Sequence, residues 1–396
     1  MKKIAIVLHG ASVGGIETAL TNMLRTIDCK KYNITLFTNF TGNPCVEKLP
    51  PNVSAVDLDD FKFKSLIKKN IKSAKIAKAF KMLFAYFKSA FEKNDAKKNE
   101  IIFRSFSVTD ERFDCAISYK QDYFSICTAL FQIKSDKKVM WLHGPIWKES
   151  NPDIYYVKWL EAFGKIYGVS SDVIDRFNAV CPQFSKKSEV FLNIMDAGEI
   201  KYKSEHFTED VHKIMESGKA LKLLSVGRFC EAKNFDNVPF ICKNIIDLGV
   251  NVKWFLIGYG EDEQLIKNKI SENGMENHVI ILGKKDNPFP YIAGCDVYVQ
   301  PSRIEGRSIS VVEAQILAKP VIITEYPTSH AQLKHGYDGM IVPMDNVECA
   351  KGIAKIIKDR ALLKSLSENA GKSDYCNKKE VNKLYSFLEE GKTYVE

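Results

Sequence analysis

The sequence is poor in the features that mark whole classes of protein. Its ten cysteines form no CxxC pair. They are scattered through apolar runs such as FDCAISY and AGCDVYV, which argues against a disulfide framework or a cysteine zinc site and reads as free thiols in a reducing compartment. No apolar run approaches the roughly 18 residues that cross a bilayer. The opening MKKIAIVLHG has two lysines and then five apolar residues before His9, short of the apolar core of a signal peptide. Together these absences predict a cytoplasmic protein. A GxGxxG fingerprint is missing, as is an acid at the end of the second strand to grip a ribose, which argues against a nicotinamide dehydrogenase. No recognised nucleic-acid-binding motif is found.

What is present is enough apolar sequence for two cores: 396 residues, 45% hydrophobic. That length suits two domains. The formal charge of +8 is uneven. Residues 1–200 carry 30 Lys+Arg against 22 Asp+Glu, and residues 201–396 carry 27 against 27. The basic surplus therefore belongs to the first half, so the halves are expected to face different partners.

Short apolar runs alternate with longer amphipathic stretches. KKIAIVLHG, NITLFTN, FDCAISY, KVMWLHG and KIYGVS read as buried strands of the first half. KLLSVGRF, VKWFLIGYG, HVIILGK, CDVYVQPS and KPVIITEY do so in the second. ETALTNMLRTI, EDEQLIKNKISENG and SVVEAQILAK read as helices. The βαβα pattern predicts α/β architecture with two doubly wound, Rossmann-like domains. The join is placed near FLNIMDAGEI, which gives an N-terminal domain over 1–193 and a C-terminal domain over 194–377. The segment 378–396 forms a terminal helix able to pack back on the N-terminal domain.

Residues 62–100 hold twelve lysines against three acids. Ile67, Ile71, Ala74, Phe80, Leu83, Phe84, Phe87 and Phe91 recur there at helical spacing. One or two helices with an aromatic face and a lysine face are expected. Two readings stay open: docking on an anionic membrane surface, or a solvated helix covering a domain core.

Five motifs could carry chemistry. HGASVGGIETAL follows the first strand, and its Gly14 and Gly15 sit at a helix start where N–H groups favour an anion; it also reads as a tight strand–helix turn. In WLHGP, His143 ends a strand, where it could orient a hydroxyl, donate to a phosphate or be purely structural. SVGRFCEAKNF places Arg228 and Lys233 on one loop after a strand, two cations suited to a diphosphate. IGYGED puts Gly258 and Gly260 at a strand end, as a turn or beside a ligand. QPSRIEGRSISVVEAQILAKPVIIT sets Glu305 after a strand and Glu313 inside the following helix. A carboxylate accepts two hydrogen bonds, so Glu305 could hold a sugar hydroxyl and Glu313 both hydroxyls of a ribose. The N–H groups of Arg307, Ser308 and Ile309 lie at that helix start.

This ordered set resembles the nucleotide-sugar domain of the retaining glycosyltransferases of family 4, which have the GT-B fold. SVGRFCEAKNF, FLIGYGED, the block from VIILGKK through VIITEY, and GYDGMIVPMDN carry the resemblance over about residues 221–347. GASVGGIETAL, WLHGP, GVSSDVIDRF and FLNIMD carry it more loosely in the first half. The block from Asn287 to Asn346 is most similar to bacterial enzymes that build capsule, exopolysaccharide or teichoic acid.

The resemblance implies two domains facing across a cleft and a UDP-sugar donor, with no metal and no other cofactor. Arg228 and Lys233 would bind the diphosphate, Glu305 the donor sugar near the reacting carbon, and Glu313 the ribose. Gly306, Arg307, Ser308 and Ile309 would supply backbone N–H groups. Gly283 to Lys285 would line the base, Gly258 would belong to the donor site, and Gly14 and Gly15 would approach the phosphates from the other domain. His143 would sit near the acceptor or donor sugar. The expected reaction is transfer of a hexose or N-acetylhexosamine, with retention, to a lipid-linked or polymeric glycan, by an enzyme peripheral to the inner face of the membrane. The alternative is a non-catalytic, glycosyltransferase-like binding subunit. Arg307 departs from the family, which usually has an apolar residue there, and segment 62–100 is not part of its core pattern.

Overall fold

The computed structural model describes residues 1–10, 14–41, 46, 49–144, 154–208, 211, 212, 214 and 218–390. Residues 11–13 of the first glycine loop and Pro145 of WLHGP lie outside the described residues. The chain divides into two compact units, one formed by 1–194 with 378–396, the other by 195–377.

The first unit is built on a seven-stranded parallel sheet ordered β3-β2-β1-β4-β5-β6-β7. Its strands are β1 Lys2–Leu8, β2 Tyr32–Thr38, β3 Val53–Asp57, β4 Arg112–Ser118, β5 Lys134–Leu142, β6 Lys165–Gly168 and β7 Ser188–Val190. Strand β1 shows why the runs read as uninterrupted apolar sequence. Ile4, Ile6 and Leu8 enter one buried cluster and Ala5 and Val7 another, so both faces of the sheet are covered. Edge strands β3 and β7 are absent from the sequence-based expectation. VSAVD and SEV are short and only partly buried, so they lack the apolar density of central strands.

The helix Val381–Glu389 belongs to this unit: Val381, Leu384 and Leu388 enter the β1 cluster. Its last carbonyls receive cations, with Lys2 Nζ donating to Leu388 O at 2.5 Å and Lys137 Nζ to Glu390 O at 2.6 Å, the sign preferred at a helix C-terminus.

The second unit carries a six-stranded parallel sheet ordered β10-β9-β8-β11-β12-β13. The strands are β8 Leu221–Val226, β9 Val252–Ile257, β10 Val279–Gly283, β11 Val297–Gln300, β12 Val321–Thr324 and β13 Met340–Val342. Here too neighbours alternate between two buried clusters, Leu223 and Trp254 on one face, Leu224 and Phe255 on the other. In each sheet the strand order reverses once, between β1 and β4 and between β8 and β11. Ligands gather outside the carboxyl ends of strands at such a point. Among the described residues no helix is long and apolar enough to cross a membrane.

Candidate active site

In the second unit the reversal point joins two loops. The loop after β8 carries Arg228 and Lys233; the loop after β11 carries Glu305. Lys233 Nζ donates to Glu305 Oε1 at 2.5 Å. With side chains 19% and 10% exposed, the pair is largely withdrawn from water, where a charge pair is felt more strongly than at the surface. Arg228 is exposed on the same loop.

Glu305 is aimed by a relay of hydrogen bonds. The Tyr298 hydroxyl donates to Gln300 Oε1 at 2.8 Å, Gln300 Nε2 to Ser302 Oγ at 2.9 Å, and Ser302 Oγ to Glu305 Oε1 at 2.7 Å. Thr328 Oγ1 donates to the Glu305 carbonyl at 2.9 Å. The two loops are stapled by Arg303. Its amide donates to Ala232 O at 2.8 Å, and its guanidinium grips Asp236 with two bonds of 3.0 and 2.8 Å, the fork geometry that lysine cannot reproduce. Arg303, Asp236, Ser302 and Thr328 escape sequence reasoning. Arg303 and Asp236 each follow a strand at the reversal point, but their pairing is visible only once the strand order is known.

The helix Ile309–Ile316 begins beside this pair. The Ser308 amide donates to Gln332 Oε1 at 2.7 Å, so that amide already has a protein partner. The next three, on Ile309, Ser310 and Val311, lie in the first turn and have no intrahelical acceptor. Gly306 and Arg307 lie in the approach to the helix. Glu313 is 8% exposed. Burial pushes its carboxyl up to about 8. The buried Tyr298 ring feels both Glu313 and Glu305, so both carboxylates fall within electrostatic reach of one side chain.

This burial has a measurable consequence. Glu313 is neutral in the folded protein up to about pH 8, whereas an exposed glutamate ionises near pH 4.3 in the unfolded chain. The folded state therefore holds the extra proton, and stability falls as pH rises from the unfolded value through the folded one. Glu313→Gln, which never ionises, is expected to gain on wild type by several degrees in Tm between about pH 5 and pH 9. Thermal unfolding at a series of pH values checks this; a constant wild-type-minus-variant difference would refute it.

The glycines after β9 have a steric reason. A Cβ on Gly258 would lie 1.8 Å from the Gly227 carbonyl oxygen, and one on Gly260 2.1 Å from that of Phe229. The bare backbone lets Phe229 N–H donate to Tyr259 O at 2.8 Å and Asp262 N–H to Phe229 O at 3.1 Å, which fixes the base of the Arg228 loop. Gly283 ends β10 with φ +70°, and its carbonyl accepts from Gly258 N–H at 3.0 Å. Lys285 Nζ sits 5.5 Å from the centre of the Tyr291 ring.

Gly14, Gly15 and His143 lie in the first unit. Gly14 caps the helix Gly15–Thr26 in extended conformation. His143 Nε2 lies 2.9 Å from Tyr119 O. A carbonyl only accepts, so Nε2 carries the proton and Nδ1 is left as acceptor. Burial pushes the imidazole down to about 4, so it is neutral at pH 7. Of the roles open to it from sequence, donation to a phosphate is the one this tautomer disfavours. His9 joins it at the carboxyl ends of β1, β4 and β5, stacked on Phe124 at 4.9 Å, with Lys120 Nζ reaching its carbonyl at 3.5 Å.

Residues 207–373 match the family model described as glycosyl transferases group 1. An N-acetylgalactosamine-N,N'-diacetylbacillosaminyl-diphospho-undecaprenol 4-alpha-N-acetylgalactosaminyltransferase of Campylobacter jejuni is 27% identical over 209 residues, 51% of this chain and 52% of that protein. The capsular polysaccharide biosynthesis glycosyltransferase CapM of Staphylococcus aureus is 28% identical over 170 residues, 41% of this chain and 43% of CapM. The chain thus spans about half the length of these curated relatives. HepE of Anabaena, solved with UDP and glucose, superposes with a TM-score of 0.71 over 99% of this chain and 100% of HepE, at 16% identity. The two parallel-sheet units have the GT-B fold, and residues 207–373 carry the match to the glycosyl transferases group 1 model.

Proposed function

We propose that the chain is a retaining, metal-independent hexosyltransferase. It moves a hexose or N-acetylhexosamine from a UDP-sugar to a lipid-linked or polymeric glycan acceptor in bacterial cell-surface polysaccharide synthesis, at the cytoplasmic face of the membrane. The observation that carries the reading is the Lys233–Glu305 pair, set on two stapled loops at the reversal point of the second sheet. The names of the Campylobacter and Staphylococcus relatives, and the UDP and glucose of the HepE complex, support the substrate classes.

Each group has a role that its surroundings allow. Lys233 and Arg228 stand where a diphosphate leaves, and their charge offsets the negative charge that grows on it. The N–H groups of Ile309, Ser310 and Val311 add the positive end of a helix. Glu305 stays a positioned acceptor for a sugar hydroxyl, and Glu313 faces the ribose. Holding two ribose hydroxyls favours the carboxylate form of Glu313, so donor affinity should rise with pH toward about 8. His143 Nδ1 is free of the Tyr119 bond and can accept from an acceptor or sugar hydroxyl.

A thermal-shift screen tests the donor. UDP-sugars should raise Tm; at a ligand concentration of 100 Kd the folded state gains about 2.7 kcal/mol. ADP- and GDP-sugars should shift it less. If no nucleotide sugar moves Tm, the reading fails.

A further inference from the structure

The segment 62–100 forms three helices, Phe63–Lys72, Ile76–Ala90 and Asp95–Phe103. The middle one packs in an unusual sense. Its buried positions are Ala79, Met82, Ala85 and Ser89. Its large apolar side chains face outward: Ile76, Phe80, Leu83, Phe84, Phe87 and Phe91 are each 46–73% exposed. A helix that covers a core does the reverse, burying its bulky residues. At 3.6 residues per turn these six fall within an arc of roughly 100°. The stripe is a convex ridge, not a groove.

The charge beside the ridge has one sign. Residues 62–91 contain nine lysines and no acid. The lysines at 64, 68, 69, 72, 75, 78, 81 and 88 are exposed, and among the described residues none of these eight takes part in an ion pair. Only Lys62 does, with Asp59 at 3.3 Å.

We propose that the helix Ile76–Ala90 is a membrane-docking element. Its phenylalanine ridge enters the headgroup–acyl boundary of an anionic leaflet, and the surrounding lysines contact the headgroups. This deepens the lipid-linked reading of the acceptor and rests on it for its purpose, although the geometry is independent of the donor site. Charge complementarity selects the occupant. A second copy placed symmetrically on the ridge would set nine lysines against nine. An acidic protein would satisfy the lysines but would need a groove to receive a row of bare rings. An anionic bilayer supplies negative charge and a soft apolar layer at once.

The test is co-sedimentation of the full-length chain with vesicles of phosphatidylcholine, alone or mixed with phosphatidylglycerol, at about 0.05 M and about 0.5 M salt. Wild type should bind the anionic vesicles, weaken with salt and retain a salt-resistant fraction. Phe80→Ser with Phe84→Ser and Phe87→Ser should lower the partition coefficient about 1,000-fold, on the order of tenfold per ring. Lys68→Glu with Lys69→Glu, Lys72→Glu and Lys75→Glu should abolish the preference for phosphatidylglycerol. All seven positions are exposed, so the variants should fold, and the UDP-sugar thermal shift should persist in both.

Equal binding to neutral and anionic vesicles would overturn the proposal, as would unchanged binding of the serine variant. A wild-type dimer in sedimentation velocity that the serine variant converts to monomer would also overturn it, in favour of self-association. Vesicle binding without any nucleotide-sugar shift would defeat the donor reading and leave the docking element standing. The shift without ridge-dependent binding would do the opposite.

Discussion

Replacing both cations of the β8 loop, Arg228→Ala with Lys233→Ala, is expected to lower sugar transfer by about three orders of magnitude, or roughly 4 kcal/mol of transition-state stabilisation. On the proposed mechanism both positive charges offered to the departing diphosphate would be lost, one from exposed Arg228 and one from Lys233, whose side chain is 19% exposed. Lys233→Ala alone carries a second penalty. Glu305, 10% exposed, would keep its charge and lose its counterion, and a pair broken from one side costs more than the pair itself contributes. Lys233→Arg restores the charge with a different shape and should recover part of the rate. Steady-state transfer with purified proteins, after circular dichroism has verified folding, reads the result. A double variant within tenfold of wild type would show that the leaving group is stabilised elsewhere.

A methyl group at Gly258 should be the most damaging single carbon in the second unit. The Cβ of Gly258→Ala would fall 1.8 Å from the Gly227 carbonyl oxygen, well inside contact distance, and the atom it meets is backbone that no rotamer change can move away. Either the segment 258–260 separates from the loop 227–229, or β8 and β9 shift apart. A cost of roughly 3–5 kcal/mol is expected, at the upper end for a point substitution. Since the Phe229–Tyr259 hydrogen bond anchors the Arg228 loop, transfer should fall with stability. Gly371→Ala is the control: its Cβ would meet the Ala318 methyl at an ordinary 3.4 Å, and its effect should be small. Urea unfolding of both variants decides the matter. A Gly258→Ala protein with wild-type stability would mean that the loops are not held at this spacing.

The parts of the fold legible in the sequence were those where one physical demand dominates. The strands within KKIAIVLHG and VKWFLIGYG, β1 and β9, are covered on both faces of their sheets, so they need unbroken apolar runs. The edge strands β3, β7 and β13 escaped detection because burial does not dictate VSAVD, SEV or MIV; their place is set by pairing with a neighbour already in the sheet. At the site, the spacing of Arg228, Lys233, Glu305 and Glu313 on strand ends and a helix start was readable, since strand ends are where backbone groups lack partners. The contact between Lys233 and Glu305 was not, because they are 72 residues apart in sequence and meet only through the strand order β8-β11. The same holds for Arg303 with Asp236. The outward-facing phenylalanines gave the opposite lesson: periodicity showed that they share one side of a helix, but not which side faces the protein.

The second unit begins and ends at one place: Met195 N–H donates to Cys376 O at 2.9 Å. Topologically it is an insertion, a continuous loop of 195–377 set into a first unit whose last helix comes after it. On the ribosome, the first sheet must therefore wait for Val381, Leu384 and Leu388 while a whole second sheet is synthesised. The inserted unit, with its two ends joined by a hydrogen bond, has every residue it needs before the first unit does, so vectorial synthesis favours completion of the later-encoded unit first. In the same way, a deletion running from 195 to 377 could be closed by a short linker, whereas trimming the chain after 377 would strip a core helix from the part of the protein made earliest.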